Sequence, residues 1–399
     1  MIKYKRSLGG ALTLAVAIGA VAGALPAGAA TATATATAES TAAQPATTSD
    51  DTQLRALMHR LTTADGAPGA LLQTRDRHGF RVLTSGVADV NSNAPVAPDS
   101  RFRIGSMTKP FVATVVLQLV GEHRVALDAP VARYLPDLLR GHDNDDRKIT
   151  VRQLLQHTSG LPDYLTFLSP AEILDDPLAH HDTRDLVNLA LAQPRTFKPG
   201  EGWRYSNTNY LIAGMLIEKV TGHPYGEEIR RRIIEPLHLR QTSVPGDATA
   251  INGPHPRGYV RPGEGAPLMD LTAINPSIAG ASGEMISSAG DLNRFLGALV
   301  GGRLLRPAQL KAMMTTHPTG DKGREYGLGL ESKELPCGGV YWGHGGDIFG
   351  YQTAGGATTH GRQATVMANV DPGGTDEQDD DMEAAVQTAL CEGRPSHPR

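Results

Sequence analysis

The chain has 399 residues, a formal net charge of −4, 40% hydrophobic and 20% charged residues, and 45 glycines. That length exceeds what one hydrophobic core usually serves, so two packed lobes are the expectation. The near-neutral charge, without a basic block, leaves no electrostatic footprint for nucleic acid.

Residues 1–30 read as a signal peptide. Lys3, Lys5 and Arg6 form a positive start, Leu8 to Leu25 an apolar centre, and Ala27-Gly28-Ala29 a small-residue cleavage site, with cleavage expected near Ala29 or Ala30. An uncleaved membrane anchor is the alternative; no later run is apolar enough to span a bilayer, so a secreted mature chain without a transmembrane anchor is expected. Residues 31–50 are Ala/Thr-rich with Pro45, a composition too poor in large apolar groups to fold, and read as a disordered linker.

From Asp51 to Thr63, Leu54, Leu57, Met58 and Leu61 recur at helical spacing, and 69–74 and 80–87 then read as two strands around the turn at Arg77-His78-Gly79. The apolar stripe Val112, Val115, Val116, Leu119 and Val120 predicts a buried helix ending at Gly121. Helical segments are expected at 151–155, 183–192, 209–221 and 225–237, separated by loops such as 197–200 and 252–256. Beyond Gly280, helices at 288–299 and 307–314, strands at 326–330, 340–343, 351–355 and 364–370, and a closing helix at 377–390 complete the reading. The order predicts an α+β fold. An antiparallel sheet flanked by helices would come from 51–126 and 276–394, with an all-helical lobe inserted over 127–275 and a cleft where the lobes meet.

Ser106 and Lys109 stand three residues apart where the helix after Ile104-Gly105 begins, so they share a face near the unpaired amides of a helix N-terminus. That pattern suits an activated nucleophile: the amine handles the hydroxyl proton and the positive field stabilises charge on an attacked carbonyl. Tyr205-x-Asn207 puts a phenol and a carboxamide on one side of a turn. Beside a cation the phenol could be held as phenolate and act as a base, and the amide could grip a substrate peptide group. In Trp342-Gly343-His344-Gly345-Gly346-Asp347, glycines allow a substrate backbone to approach a strand, and His344 could supply a cation or proton relay. The amides of Ser106 and Asp347 could face each other across an oxyanion hole. Each piece also has a plain structural reading: an N-cap, a packed tyrosine, a bulged loop with a surface histidine.

Cys337 and Cys391 are the only cysteines, and an even pair in an exported chain reads as one disulfide or, alternatively, as two buried thiols. No third ligand accompanies His180-His181-Asp182 at metal-site spacing, so no metal and no cofactor are expected. The His157-Thr158-Ser159-Gly160 stretch reads as a helix-ending loop, and Asp376 to Asp381 as a solvated helix start. Nothing demands more than a monomer.

Taken together and in order, Ser106-x-x-Lys109, Tyr205-x-Asn207 and His344-Gly345-Gly346 resemble the motifs of the penicillin-recognising serine hydrolases, in their class C β-lactamase and DD-peptidase branch. Residues 150–161, 209–222 and 326–330 extend the resemblance over about Ala56 to Arg394. It is nearest to the soluble secreted D-alanyl-D-alanine carboxypeptidases, where a disulfide falls at the positions of Cys337 and Cys391. The resemblance implies a β-lactamase/transpeptidase-like fold and acylation of Ser106, with proton transfers shared by Lys109 and Tyr205. It also implies that Asn207, His344, Gly345 and Gly346 line the substrate, which would be a cell-wall peptide or other small acyl compound, with β-lactams as inhibitors or substrates. An esterase, amidase or β-lactamase using the same site is the alternative, and a non-catalytic sensor domain a further one. Gly345 stands where that branch has threonine, and Glu331 where it has the arginine that holds a leaving carboxylate. A charge-assisted contact of that kind is worth about 1.5–3 kcal/mol. Arg324, Lys333 and Arg257 are the cations that could replace it.

Overall fold

The computed structural model describes residues 49–138, 148–263 and 265–392. The expected signal peptide, and all but the last two residues of the expected linker, lie outside them. Ser49 and Asp50 already belong to the first helix, so the linker boundary moves back by two residues: Asp50 and Asp51 are acids in a first helical turn, where they suit the helix dipole.

The helices are α1 (Ser49–Thr63), α2 (Thr108–Gly121), α3 (Val151–Leu155), α4 (Pro170–Asp175), α5 (Thr183–Leu191), α6 (Thr208–Thr221), α7 (Tyr225–Ile229), α8 (Ala289–Val300), α9 (Pro307–Met313) and α10 (Glu377–Cys391). The strands are β1 (Gly69–Asp76), β2 (Gly79–Asp89), β3 (Ala94–Pro95), β4 (Arg101–Arg103), β5 (Tyr259–Val260), β6 (Met269–Asp270), β7 (Ile286–Ser288), β8 (His317–Pro318), β9 (Arg324–Tyr326), β10 (Glu331–Glu334), β11 (Val340–Ile348), β12 (Tyr351–Ala357) and β13 (Gln363–Ala368). Among the described residues, nine of these form one antiparallel sheet in the order β3-β2-β1-β13-β12-β11-β10-β9-β8. The fold is α+β.

The two-residue period of the central strands divides their side chains between two cores. Ala70, Leu72, Val366 and Ala368 pack with Leu54, Met58, Leu61, Met382 and Val386 of α1 and α10. Leu71 and Met367 point the other way, into a cluster with Phe111 of α2 and Phe295 of α8, whose rings stack at 3.6 Å. Strands covered on both faces carry apolar residues without alternation, as these do. Helix α2 is buried along most of its surface, and Ser106 stands in the turn at its head.

Several sequence readings change. Of the expected strand 326–330 only Tyr326 lies in a strand, at the end of β9, and 327–330 turn into β10, because a Cβ on Gly327 would lie 2.1 Å from the Met313 carbonyl oxygen and Gly329 has φ +76°. The strand at 340–343 continues through the glycines to Ile348. The stretch 127–275, expected to be all helical, also holds β5 and β6; Tyr259 packs with the α1/α10 cluster and Tyr351 Oη donates to the Pro256 carbonyl at 2.8 Å. The Asp376–Asp381 run is not simply solvated: Asp381 is buried and paired to Arg60. Cys337 and Cys391 form a disulfide that ties the β10–β11 turn to the end of α10. No helix among the described residues is long and apolar enough to cross a membrane.

Candidate active site

Ser106 lies in a 3-10 turn, Gly105–Met107, that runs directly into α2. Gly105 has φ +48°, and a Cβ there would lie 2.6–2.8 Å from the backbone of Asp347. From the other side, a Cβ on Gly346 would lie 2.0 Å from the Ile104 carbonyl oxygen. The two glycines therefore press the nucleophile's turn against β11, with the Gly105 backbone against that of Asp347 and Gly346 against Ile104 and Met107. This changes the role expected of Gly346: its open side is filled by the Ile104 backbone, not by substrate. Gly345, one step along, remains partly exposed.

β10 pairs with β11 only from Val340 to Gly343. From His344 to Ile348 the β11 edge opposite β12 has no strand partner among the described residues, and the Ser106 turn stands at that edge.

Lys109 is fully buried. Its Nζ lies 2.8 Å from Ser106 Oγ, 2.7 Å from Asn207 Oδ1 and 2.8 Å from the Ser282 carbonyl oxygen. Burial pulls its pKa down from 10.5 to about 7, against the opposing pull of Asp163, Asp347 and Glu331. Asn207 Oδ1 and Ser282 O can only accept, so once the amine is neutral its two hydrogens go to them and its lone pair faces the Ser106 hydroxyl. The geometry suits a general base.

Asn207 is committed at both ends. Oδ1 accepts from Lys109 and Nδ2 donates to Asp163 Oδ2 at 2.9 Å. Asp163, unremarked in the sequence, thus fixes which way the carboxamide points, and only one Nδ2 hydrogen is left for a substrate.

Lys109 Nζ lies 4.8 Å from the Tyr205 ring centroid. Burial drives the phenol's pKa well above 10, more than the neighbouring Ser106 side chain lowers it, and Glu331, Asp347 and Asp163 push the same way. The phenolate expected from sequence is overturned: Tyr205 keeps its proton and offers it as a donor, and Lys109 is the group free to accept one.

His344 is likewise not a cation. Burial lowers its pKa to about 4, and it sits in a chain whose hydrogens follow from the acceptors. The Gly345 carbonyl, 2.5 Å from His344 Nδ1, can only accept, so Nε2 must accept from Tyr326 Oη at 2.9 Å. The Tyr326 oxygen then accepts from His157 Nε2 at 3.2 Å. His157 Nδ1 in turn accepts from the Ser206 amide at 3.2 Å and Asn209 Nδ2 at 3.1 Å, while Ser159 Oγ holds the Asn209 oxygen at 2.6 Å. His157 also packs on the Tyr205 ring at 4.3 Å. In sequence, 157–160 reads as a helix-ending loop and Tyr326 carries no signal of its own. His157 does adopt φ +61°, but its ring is an internal support of the site, a role that only long-range contacts reveal.

The substitute cations are all engaged. Arg257 pairs with Asp89 and Asp270 beside β5 and β6. Arg324 is bonded to Glu331, and Lys333 lies 3.6 Å from Glu331 and 2.7 Å from Glu383. His180 pairs with Asp247, Asp182 caps α5, and no cluster fit for a metal occurs among the described residues.

Comparison with known proteins bears on the fold and the enzyme class. The chain is 41% identical to a D-stereospecific amidohydrolase from Streptomyces sp., with a TM-score of 0.77 over 84% of this chain and 98% of that one. It is 28% identical to the D-amino acid amidase of Ochrobactrum anthropi SV3, with a TM-score of 0.75 over 86% of this chain and 98% of that one. Esterase EstB of Burkholderia gladioli is 37% identical over 175 residues, 41% of this chain and 44% of the esterase, so the match spans less than half of that relative. Residues 54–389 match the family described as Beta-lactamase, and the chain belongs to that family of serine hydrolases.

Proposed function

We propose that this protein is an exported acyl-transfer hydrolase of small amides and esters, with D-amino acid amides as the first substrate class to test. The observation that carries the reading is Lys109, a fully buried amine hydrogen-bonded to Ser106 with its pKa brought to about 7. In this reading the Ser106 oxygen bonds to the substrate carbonyl carbon while its proton passes to Lys109. The carbonyl oxygen takes up negative charge between the Ser106 and Asp347 amides. The carbon–nitrogen or carbon–oxygen bond then breaks, with the Tyr205 phenol giving its proton to the leaving atom and regaining one from Lys109. Water releases the acyl group by the reverse path.

Likeness to an amidohydrolase and an amidase over most of the chain, and to an esterase over part of it, favours amide and ester substrates over the D-alanyl-D-alanine carboxypeptidase expectation. Export rests on the character of residues 1–30, and the Cys337–Cys391 disulfide suits an oxidising compartment.

The test is turnover of D- and L-phenylalaninamide and p-nitrophenyl acetate by the mature chain, with a mass-shift search for acyl-Ser106. Hydrolysis that favours the D-amide and disappears in Ser106→Ala is expected. Turnover surviving Ser106→Ala, or absence of any adduct, overturns the reading.

A further inference from the structure

The proposed function leaves open what kind of group departs from Ser106, and the ion pairs beside the open edge bear on it. β10 begins at Glu331, opposite Gly343, so Glu331 borders the place where the β11 edge becomes free. Its side chain is almost wholly buried, and Arg324 and Lys333 hold the carboxyl well below the usual carboxylate range despite that burial. Gly343, the partner of Glu331 across the ladder, adjoins His344, whose ring lies 6.2 Å from that of Tyr205, the proton donor to the leaving atom, and both Glu331 and Arg324 act electrostatically on that phenol. A leaving group therefore departs into the field of this cluster.

The cluster's cations are spent. Arg324 Nη2 is on Glu331 and Nη1 lies 3.3 Å from Asp321, while Lys333 bridges Glu331 and Glu383. Two cations against three carboxylates (2 − 3) leave a net charge of −1. A departing amine that carries its own carboxylate meets like charge here and no released cation, whereas ammonia, an amino amide or an alcohol meets no such penalty. Among the described residues Arg324 Nε has no hydrogen-bond partner, so the guanidinium keeps a donor to offer once its charge is released.

We propose that Glu331 is a specificity-determining residue: by neutralising Arg324 and Lys333 it sets this cleft against leaving groups that end in a carboxylate and in favour of uncharged ones. The inference rests on the acyl-transfer reading and names the leaving-group class within it.

The experiment compares N-acetyl-D-alanyl-D-alanine with its C-terminal amide, following release of D-alanine or D-alaninamide from the internal bond, in wild-type and Glu331→Gln protein. The wild type is expected to favour the amide by at least about tenfold in kcat/KM. In Glu331→Gln the preference should fall to about threefold or less, through a lower KM for the carboxylate substrate; adding Arg324→Gln should restore the preference. Equal use of both substrates by the wild type, or an unchanged preference in an active Glu331→Gln, overturns the proposal. Should Glu331→Gln not fold, Lys333→Gln makes the cluster more negative and must widen the preference; an unchanged ratio again overturns it. Absence of acyl-Ser106 in the wild type would instead overturn the acyl-transfer reading. Competition binding of the same two peptides to Ser106→Ala protein would then still read the preference.

Discussion

Lys109 and Lys333 are both long amines drawn out of water in one molecule, and their pKa values move in opposite directions. Lys109 touches a hydroxyl, a carboxamide oxygen and a backbone carbonyl, none of them charged, and burial brings its pKa to about 7. Lys333, with 14% of its side chain exposed, touches Glu331 and Glu383 and is pushed above the ordinary lysine value. Desolvation is the largest contribution at both sites and acts in the same direction. What separates a reactive amine from a structural ammonium is thus the charge of the acceptors within bonding reach, not depth of burial.

Exchanging that distinction should break each site in its own way. The largest effect is expected for Lys109→Met, which removes the base and should lower kcat/KM by about a thousandfold. Lys109→Arg should not restore it, because a guanidinium does not give up its proton. Steady-state kinetics on a p-nitrophenyl ester reads both. Lys333→Met should leave that ester activity largely intact but lower unfolding free energy by about 2 kcal/mol, since Glu331 loses one of its two cations. Guanidinium denaturation measures this. The smallest effect sharpens the comparison most: Asn207→Asp gives Lys109 an anionic partner of the kind Lys333 has.

The sign of the pH effect follows. The wild-type amine must be neutral to accept the Ser106 proton, so kcat/KM should rise with pH through about 7. The aspartate raises the Lys109 pKa, moves that rising limb to higher pH and costs about tenfold at pH 7, a loss recovered on further alkalinisation. An unmoved limb would remove Lys109 from the base role. Tyr205, held well above 10, should add no falling limb near neutrality.

The same contrast separates what is legible in the amino-acid sequence from what is not. Ser106-x-x-Lys109 is legible because residues three apart share a helical face whatever surrounds them, and apolar periodicity exposes α1, α2 and the central strands. Protonation states are not legible in that way. Residue type permits a phenolate at Tyr205 and a cation at His344; burial against His157 and Tyr326, from two distant stretches, decides otherwise. The strand expected at 326–330 fails for a related reason: Gly327 and Gly329 answer to Met313, Ala113 and Tyr210, which local pattern does not show.

Gly105 and Gly346 mark where this protein has no room to vary. At either position even a methyl group would wedge the Ser106 turn off β11, whereas the neighbouring Asp347 carries its side chain to the outside. A saturation library screened for activity should come back blank at 105 and 346 and crowded at 347, so attempts to retune this enzyme by random change have one wall of the reaction chamber closed to them from the start.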